Sequence, residues 1–408
     1  YNFILINFII FPVFFYLIVY INKKSKVTYR KKPYKKNLFI FGLLFGFGFY
    51  LSGVSWITNS LTFDQNFKIL IPFALIFIPL FLSLFVAFVV LWVGPYVKLN
   101  ISSIIIFSAS LAFSDYLRAK LFTGFPWNLW AYSASWSVEL LQILSSVGLY
   151  AYNLFLITLF ISPVIIFFNI KNIKKLAYLF LIFFIILSSY IYGNYGINRN
   201  DKILDKINDK IFVKIISPNF ELKYGLNEKE IEERLKKLIR YSEPDKNKET
   251  LFIWPEGVFS GYSFDELKTL KNTISKNFKK NHLILFGVNR FNAQKNGYYN
   301  SLIIINNKME IIQEYKKQKL VPFGEFLPFQ KILNKFGIKK ITEGHGSFLR
   351  GENQKNLIYD NLNILPLICY EIIFTKFVQK SELNTNLIVN ISEDGWFGKS
   401  IGPYQHFS

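Results

Sequence analysis

The 408-residue chain has one cysteine, one methionine and three histidines. The single cysteine, Cys369, excludes an intrachain disulfide. His282, His345 and His406 are scattered without ligand spacing, which argues against a metal site and against a Ser–His–Asp triad. Neither a metal nor a cofactor is expected. Charge is scarce as well: 18% of residues are charged, against 51% hydrophobic and 19% aromatic. A chain this long with that balance belongs to the membrane class. Acid is rarest in the first half, where residues 1–193 carry 15 Lys and Arg against Asp64, Asp115 and Glu139. The total charge of +21 is therefore +12 before residue 194 and +9 after it, with the signs mixed along the second part. No basic stripe interleaved with aromatics stands out, so no nucleic-acid partner is expected. The chain starts at Tyr1, has its only methionine at Met309 and stops at Ser408 without a terminating element. It is expected to be a fragment lacking residues at both ends.

What is abundant is apolar length. Runs at 2–22, 38–60, 69–93, 100–117, 139–168 and 176–193 are long enough to cross a bilayer core of about 30 Å, which predicts six transmembrane helices in a membrane domain over 1–193. Alternate connecting loops carry 12 basic residues on one side, eight of them in 23–37, and three on the other. The rich side is cytoplasmic by the positive-inside rule, so everything after the sixth span is expected outside the cytoplasm, in the periplasm or its equivalent. The first run is no secretory signal, because its basic cluster follows it. The segment 114–137 joins Phe122, Phe125, Trp127, Trp130, Tyr132 and Trp136 to Arg118 and Lys120. It reads either as an interfacial aromatic belt or as a surface that holds lipid.

A polar linker, 194–210, leads into alternating elements over 211–408, a domain expected to be incomplete at its C-terminus. FVKIISPN, LFIWP, LILFGVNRF, YNSLIIIN, IIQEYKKQKL, NILPLIC and LIVNIS read as strands. KEIEERLKKLIRYSE is an amphipathic helix with Ile231, Leu235, Leu238 and Ile239 on one face and Asn227 as N-cap. SFDELKTLKNTISKNF and EIIFTKFVQK read as further helices. Near-continuous apolar strands mixed with helices predict a layered α/β domain with chemistry at strand ends.

Three stretches carry candidate chemistry: WPEG (254–257), YKKQKLVPFGE (315–325) and LPLICYEIIF (365–374). A lone cysteine is most often a small buried hydrophobe. Cys369, however, lies where a strand ends and a helix is expected, a position that favours thiolate, with Glu371 partly opposing it. Glu256 at the end of LFIWP reads as a solvated turn residue or as a base for the thiol proton. Lys317 lies among Lys308, Lys316 and Lys319, and no spacing rule singles it out. Glu325, an isolated acid in VPFGEFLPF, needs a partner.

Taken in order after a set of spans, WPEG, YxKxxLVPFGE, CYE and NxSxDGWFG resemble the apolipoprotein N-acyltransferase family, the membrane-anchored branch of the nitrilase superfamily. LSGVSWI (51–57) and LFTGFPWNLWAYS (121–133) are also similar to that family, so the resemblance covers about residues 40–408. It implies an αββα sandwich for the second domain, with Glu256 as general base, Lys317 as second member of a triad and Cys369 as nucleophile. Glu325, Tyr370 and Glu371 would support them, and Asn300 and Asn219 match positions near the site. The implied reaction moves an sn-1 acyl chain from phospholipid, with phosphatidylethanolamine as the expected donor, through a Cys369 thioester. The acceptor would be the α-amine of an apolipoprotein's diacylglyceryl-cysteine. Phe323 and Phe326 with Trp127 and Trp130 are expected, on composition, to line the lipid entrance. One departure is Ser392, Glu393, Asp394 where the family has Ser-Asn-Asp. The alternatives are a membrane-tethered carbon–nitrogen hydrolase with the same Glu–Lys–Cys set, and a catalytically dead lipoprotein-binding protein.

Overall fold

The computed structural model describes residues 4–28, 33–63, 65–204, 212–223, 225–330, 347–352, 355–379, 382 and 384–407. It divides into two compact units, Tyr1–Asn208 with Ile401–Ser408, and Asp209–Ser400.

The first unit is helical: α1 (Ile4–Thr28), α2 (Pro33–Val54), α3 (Ile71–Val93), α4 (Ile101–Lys120), α5 (Val138–Leu141), α6 (Leu144–Val147), α7 (Leu149–Ile161) and α8 (Asn172–Leu204). Among the described residues five segments are long and apolar enough to cross a membrane: Ile4–Lys24, Tyr34–Thr62, Phe67–Tyr96, Leu149–Phe167 and Asn172–Leu204. The unit reads as a membrane domain. The expected run 100–117 forms α4, whose Ser102, Ser103, Ser108, Ser110, Ser114, Asp115 and Arg118 keep it outside that set. The run 139–168 is not one continuous helix. Gly148, at φ 79°, ends α6 and opens α7, a left-handed turn that glycine adopts without strain. Residues 194–204 of the expected linker continue α8, and 205–210 lie outside the described residues.

Phe15, Phe107, Ile157 and Phe160 interlock α1, α4 and α7 with no exposed surface. Where α2 meets α3, a Cβ at Gly42 or Gly46 would fall 2.9 Å from Val90 or Ser83. Small residues thus allow close helix approach where lipid gives no hydrophobic drive. A buried polar network pins the aromatic segment. Arg118 Nη1 donates to the carbonyls of Phe125 and Trp127, both at 2.6 Å, and Nη2 to Asp115 Oδ1 at 3.0 Å. Asn153 donates to Asp115 Oδ2 at 2.9 Å and accepts from Ala131 N–H at 3.0 Å. In an apolar medium such groups persist only when satisfied this way.

The second unit is a layered α/β domain. One sheet runs β1 (Phe212–Ile215), β2 (Thr250–Ile253), β3 (His282–Asn292), β4 (Gly297–Ile305), β5 (Ile311–Lys316); its first three strands are parallel and its last three antiparallel. The other runs β6 (Leu357–Tyr359), β7 (Leu362–Ile368), β8 (Leu387–Ile391). Strand alternation assigns the faces. Phe252, Ile284, Phe286, Ile303 and Ile305 point to the helical layer, where α9 (Glu228–Ser242) packs Ile231, Leu235 and Leu238. Leu251, Leu283, Leu285, Leu302 and Ile304 point the other way, onto Ile364, Ile368, Val389 and Ile391 of the second sheet. Each fully buried leucine here contributes roughly 2 kcal/mol. Leu365 and Leu367, on the opposite face of β7, are also fully buried, so that face is covered too. α9 starts at a capping box in which Asn227 and Glu230 satisfy each other's backbone N–H.

Two expected helices differ. The segment 263–278 holds a 3-10 turn, Glu266–Leu270, followed by α10 (Lys271–Asn277). After Cys369 the chain makes a 3-10 turn, Cys369–Ile373, then one helical turn, Thr375–Val378. The short strand β6, its partner across a turn at Asp360, escaped the sequence reading.

Candidate active site

The ends of strands converge in the second unit. β2 ends at Ile253, and two residues of extended chain carry it to Glu256. β5 ends at Lys316 and delivers Lys317; β7 ends at Ile368 and delivers Cys369. Gly287 on β3 admits this convergence, because a Cβ there would fall 2.9 Å from Glu256 Cα and 3.0 Å from Ile391 Cδ1.

Lys317 has 1% of its side chain exposed and is shared by two carboxylates: Nζ lies 2.9 Å from Glu325 Oε1 and 3.5 Å from Glu256 Oε1. Asn300, on β4, donates to both through Nδ2, at 2.7 Å to Glu256 and 2.8 Å to Glu325. Glu325 is completed by the Val321 N–H on Oε2 at 2.8 Å, so the isolated acid of VPFGEFLPF finds its partners. Glu256 Oε2 makes no hydrogen bond among the described residues, which leaves it open to take a proton. Burial pushes Lys317 down, yet Glu256, Glu325 and Cys369 outweigh it, and the ammonium is held above its ordinary range.

Cys369 sits at φ 50°, in the left-handed region that costs a non-glycine residue of order 1–3 kcal/mol. Strain at this one residue turns the strand end sharply and leaves the residue partly accessible. The expected thiolate at a helix N-terminus is corrected, because the element that follows is a five-residue 3-10 turn with little dipole to offer. Burial instead pushes the thiol up to about 12; Glu256 adds to the rise, and Lys317 and a hydrogen bond with Ser392 oppose it. The resting group is a neutral thiol, so attack needs a base to remove its proton in the same step.

Glu371 holds this turn in place. Fully buried, it accepts from Tyr315 Oη on both oxygens at 2.9 Å, from Gln318 N–H at 2.7 Å, Lys319 N–H at 2.9 Å and Ile368 N–H at 3.0 Å. It thereby ties the Cys369 turn to the chain that follows Lys317. Burial nevertheless raises its pKa. Tyr370 is buried and packs edge-on to Phe374 at 5.0 Å. Tyr315 and Ser392 were missed by sequence reasoning; Tyr315 is the first residue of the YKKQKLVPFGE motif.

Other expected site residues stand apart. Asn219 is exposed, at φ 48°, and makes no hydrogen bond to Glu256, Lys317 or Cys369. Phe323, at φ 63°, is 45% exposed and Phe326 is half-buried. Trp127 is buried inside the helical unit and Trp130 is half-buried there. Trp127 is 5% exposed, and Trp130 lies edge-on to Phe11 and stacked on Phe49. The aromatic residues this segment does expose are Tyr116, Phe122 and Trp136.

Glu393 lies against the turn that carries Glu256: a Cβ on Gly257 would be 3.0 Å from its Oε2. Burial, opposed by the Gly395 N–H and Arg234 and reinforced by Glu256 and Asp394, pushes its pKa from 4.5 up to about 7. A carboxyl raised in the fold stabilises most when neutral. Its contribution is complete below pH 4.5 and is lost as pH rises through 7. Glu393→Asn is therefore expected to lose about 2 kcal/mol less stability than wild type between pH 5 and pH 8, after discounting for partial exposure. Thermal melts in detergent at the two pH values check this; parallel losses would refute it.

Comparison with known proteins fits both units. The apolipoprotein N-acyltransferase N-terminal domain family matches residues 1–162, and the carbon-nitrogen hydrolase family matches 224–408. The apolipoprotein N-acyltransferase of Brucella melitensis biotype 1 is 30% identical over 376 residues, covering 90% of this chain and 70% of that protein. That of Rickettsia typhi is 33% identical over 376 residues, covering 90% and 73%. Among solved structures, the carbon-nitrogen hydrolase from Helicobacter pylori G27 is similar at 15% identity, covering 45% of this chain and 59% of that one, with a TM-score of 0.31. The carbon-nitrogen hydrolase family match over 224–408 falls on the layered α/β domain, joined in one chain to the helical unit.

Proposed function

This chain belongs to the apolipoprotein N-acyltransferase family, and on that premise we propose that it N-acylates apolipoproteins through a Cys369 thioester. The observation that carries the reading is a buried lysine shared by two carboxylates beside a cysteine in a strained turn.

In the first half-reaction Glu256 takes the Sγ proton as sulfur attacks the sn-1 ester carbonyl of a phospholipid, phosphatidylethanolamine in our reading. The developing oxyanion faces Lys317. The carbonyl–oxygen bond to glycerol breaks, the proton passes to the departing oxygen, and lysophospholipid leaves the thioester behind. In the second, the α-amine of a diacylglyceryl-cysteine attacks that thioester. Glu256 relays the amine's proton to Sγ as the carbonyl–sulfur bond breaks, and the amide is formed. Asn300 and Glu325 hold Glu256 and Lys317 in place; Glu371 and Tyr370 hold the nucleophile turn. In this reading α4 crosses as a sixth span beside the five long apolar segments, α8 runs on to Leu204, and the loop charge bias puts the catalytic domain, 211–408, on the periplasmic side of a bacterial inner membrane.

The test is intact mass of the full-length protein in membranes, first with phospholipid alone and then with diacylated lipopeptide. A fatty-acyl increment removed by lipopeptide, which gains the same mass, supports the transferase. An increment discharged by water while lipopeptide stays unmodified would assign a hydrolase instead.

The exposed Phe323 with Phe326 forms the lipid entrance in this reading; the packed Trp127 and Trp130 are left out. Phe323→Ser with Phe326→Ser is expected to slow acylation from membrane-embedded phospholipid about tenfold, the loss of one exposed and one half-buried aromatic contact. Unchanged acylation rates in vesicles would remove this entrance.

A further inference from the structure

Beyond the triad, three cations reach one place from three segments. The chain at 350–351 docks on the end of β5: Gly351 N–H donates to the Lys317 carbonyl at 2.8 Å and Arg350 Nε to the Gln318 carbonyl at 2.9 Å. The fit is close, since a Cβ at Gly351 would fall 2.1 Å from the Lys316 carbonyl oxygen. Held by Nε, the exposed Arg350 guanidinium has both Nη groups without a protein acceptor among the described residues. Lys319 follows, its backbone fixed by Glu371 and its Nζ 4.6 Å over the Phe374 ring. Lys376 rises from the turn after Phe374, with Nζ 4.9 Å over the Phe377 ring.

Cations that converge on a shared spot repel, and the repulsion is relieved when an anion binds between them. Lys319 registers the strain. Half-burial first, then the charges of Lys376 and Arg350, lower it to about 8. An oriented guanidinium with free donors beside two ammonium groups suits a tetrahedral oxyanion better than a carboxylate paired one-to-one.

We propose that Arg350, Lys319 and Lys376 bind a phosphate ester, the headgroup phosphate of the acyl donor. This rests on the acyl-transfer reading above. In a glycerophospholipid the phosphate and the sn-1 ester hang on one glycerol. A phosphate site two residues beyond Lys317 would therefore orient the scissile carbonyl toward Cys369. It would also select phospholipid over uncharged glycerides.

The experiment compares two donors in mixed micelles with the full-length protein: dioleoylphosphatidylethanolamine, and dioleoylglycerol, which has the same esters without phosphate. Acyl-enzyme is read by intact mass. Arg350→Gln and Lys319→Gln are each expected to lower the ratio of kcat/KM for the two donors about tenfold, through KM. Lys319→Arg should restore most of it. A ratio within twofold of wild type in both variants, with wild type acylated by both donors, overturns the site and leaves the acyl-transfer reading standing. No acylation of wild type by either donor would instead sink that reading. The site then stands or falls on binding: glycerol 3-phosphate should raise the melting temperature of wild type and not of Arg350→Gln. Equal shifts in both proteins, or an equal shift from inorganic phosphate alone, would overturn the headgroup assignment.

Discussion

Replacing Cys369 with alanine is expected to lower transfer on the order of 10⁴-fold or more and to abolish the acyl increment on the protein. The loss is large because, on the proposed mechanism, two half-reactions pass through one sulfur. Without it the lipopeptide amine has to attack an unactivated ester directly. Cys369→Ser is the sharper variant. The left-handed turn at φ 50° and the neighbours Glu256, Lys317 and Ser392 remain, so a hydroxyl stands where the thiol stood. A serine ester is a poorer acyl donor to an amine than a thioester. This variant should therefore accumulate acyl-enzyme that lipopeptide discharges slowly. The check is intact mass against time for wild type, Cys369→Ala and Cys369→Ser. Transfer by Cys369→Ala at more than a hundredth of the wild-type rate would remove the covalent mechanism. Because the thiol is held neutral, wild type should also resist alkylating reagents that demand a preformed thiolate.

The parts of this arrangement were not equally legible in the amino-acid sequence. Strand runs such as LFIW and LILFGV could be read because burial on both faces leaves an apolar run, and those strands lie between a helical layer and a second sheet. The start of α9 was legible because capping is local chemistry: Asn227 and Glu230 are three residues apart. The site is different in kind. Glu256, Asn300, Lys317 and Glu325 meet only after four strands have paired, and no spacing rule reports which of several lysines a sheet will bury. Composition singled out Glu325, but the resemblance alone singled out Lys317. The turn at Cys369 was misread because EIIFTKFVQK has helical periodicity. Glu371's hydrogen bonds to Tyr315, Gln318 and Lys319 override that preference and leave a 3-10 turn. Trp127 and Trp130 carry a related ambiguity. An aromatic-rich segment has the same composition at a lipid surface as inside a core, and the buried Arg118–Asp115–Asn153 network decides between them.

Lys317→Met is the second substitution expected to have a large effect, because it removes one charge from a site built on three. The side chain is 1% exposed, with Glu325 at 2.9 Å and Glu256 at 3.5 Å. Methionine fills most of the volume, so the cost is electrostatic. Two carboxylates remain, joined through Asn300 and without a counter-charge. Breaking a buried pair by removing one partner costs about 3–5 kcal/mol. The lysine's folded pKa lies above its ordinary value, so its stabilisation is complete at every pH below about 10 and is lost only in stronger alkali. Any pH dependence of the destabilisation between pH 6 and pH 8 should therefore come from the two carboxylates left behind and not from the lysine. Rate suffers separately: with no cation facing the oxyanion, acylation of Cys369 should fall by about 10²–10³. Double substitution separates the two effects. Lys317→Met with Glu325→Gln leaves one carboxylate and should recover most of the melting temperature, while the acylation rate stays low. If the double variant recovered rate together with stability, Lys317 would be a structural counter-ion and the oxyanion would need another partner.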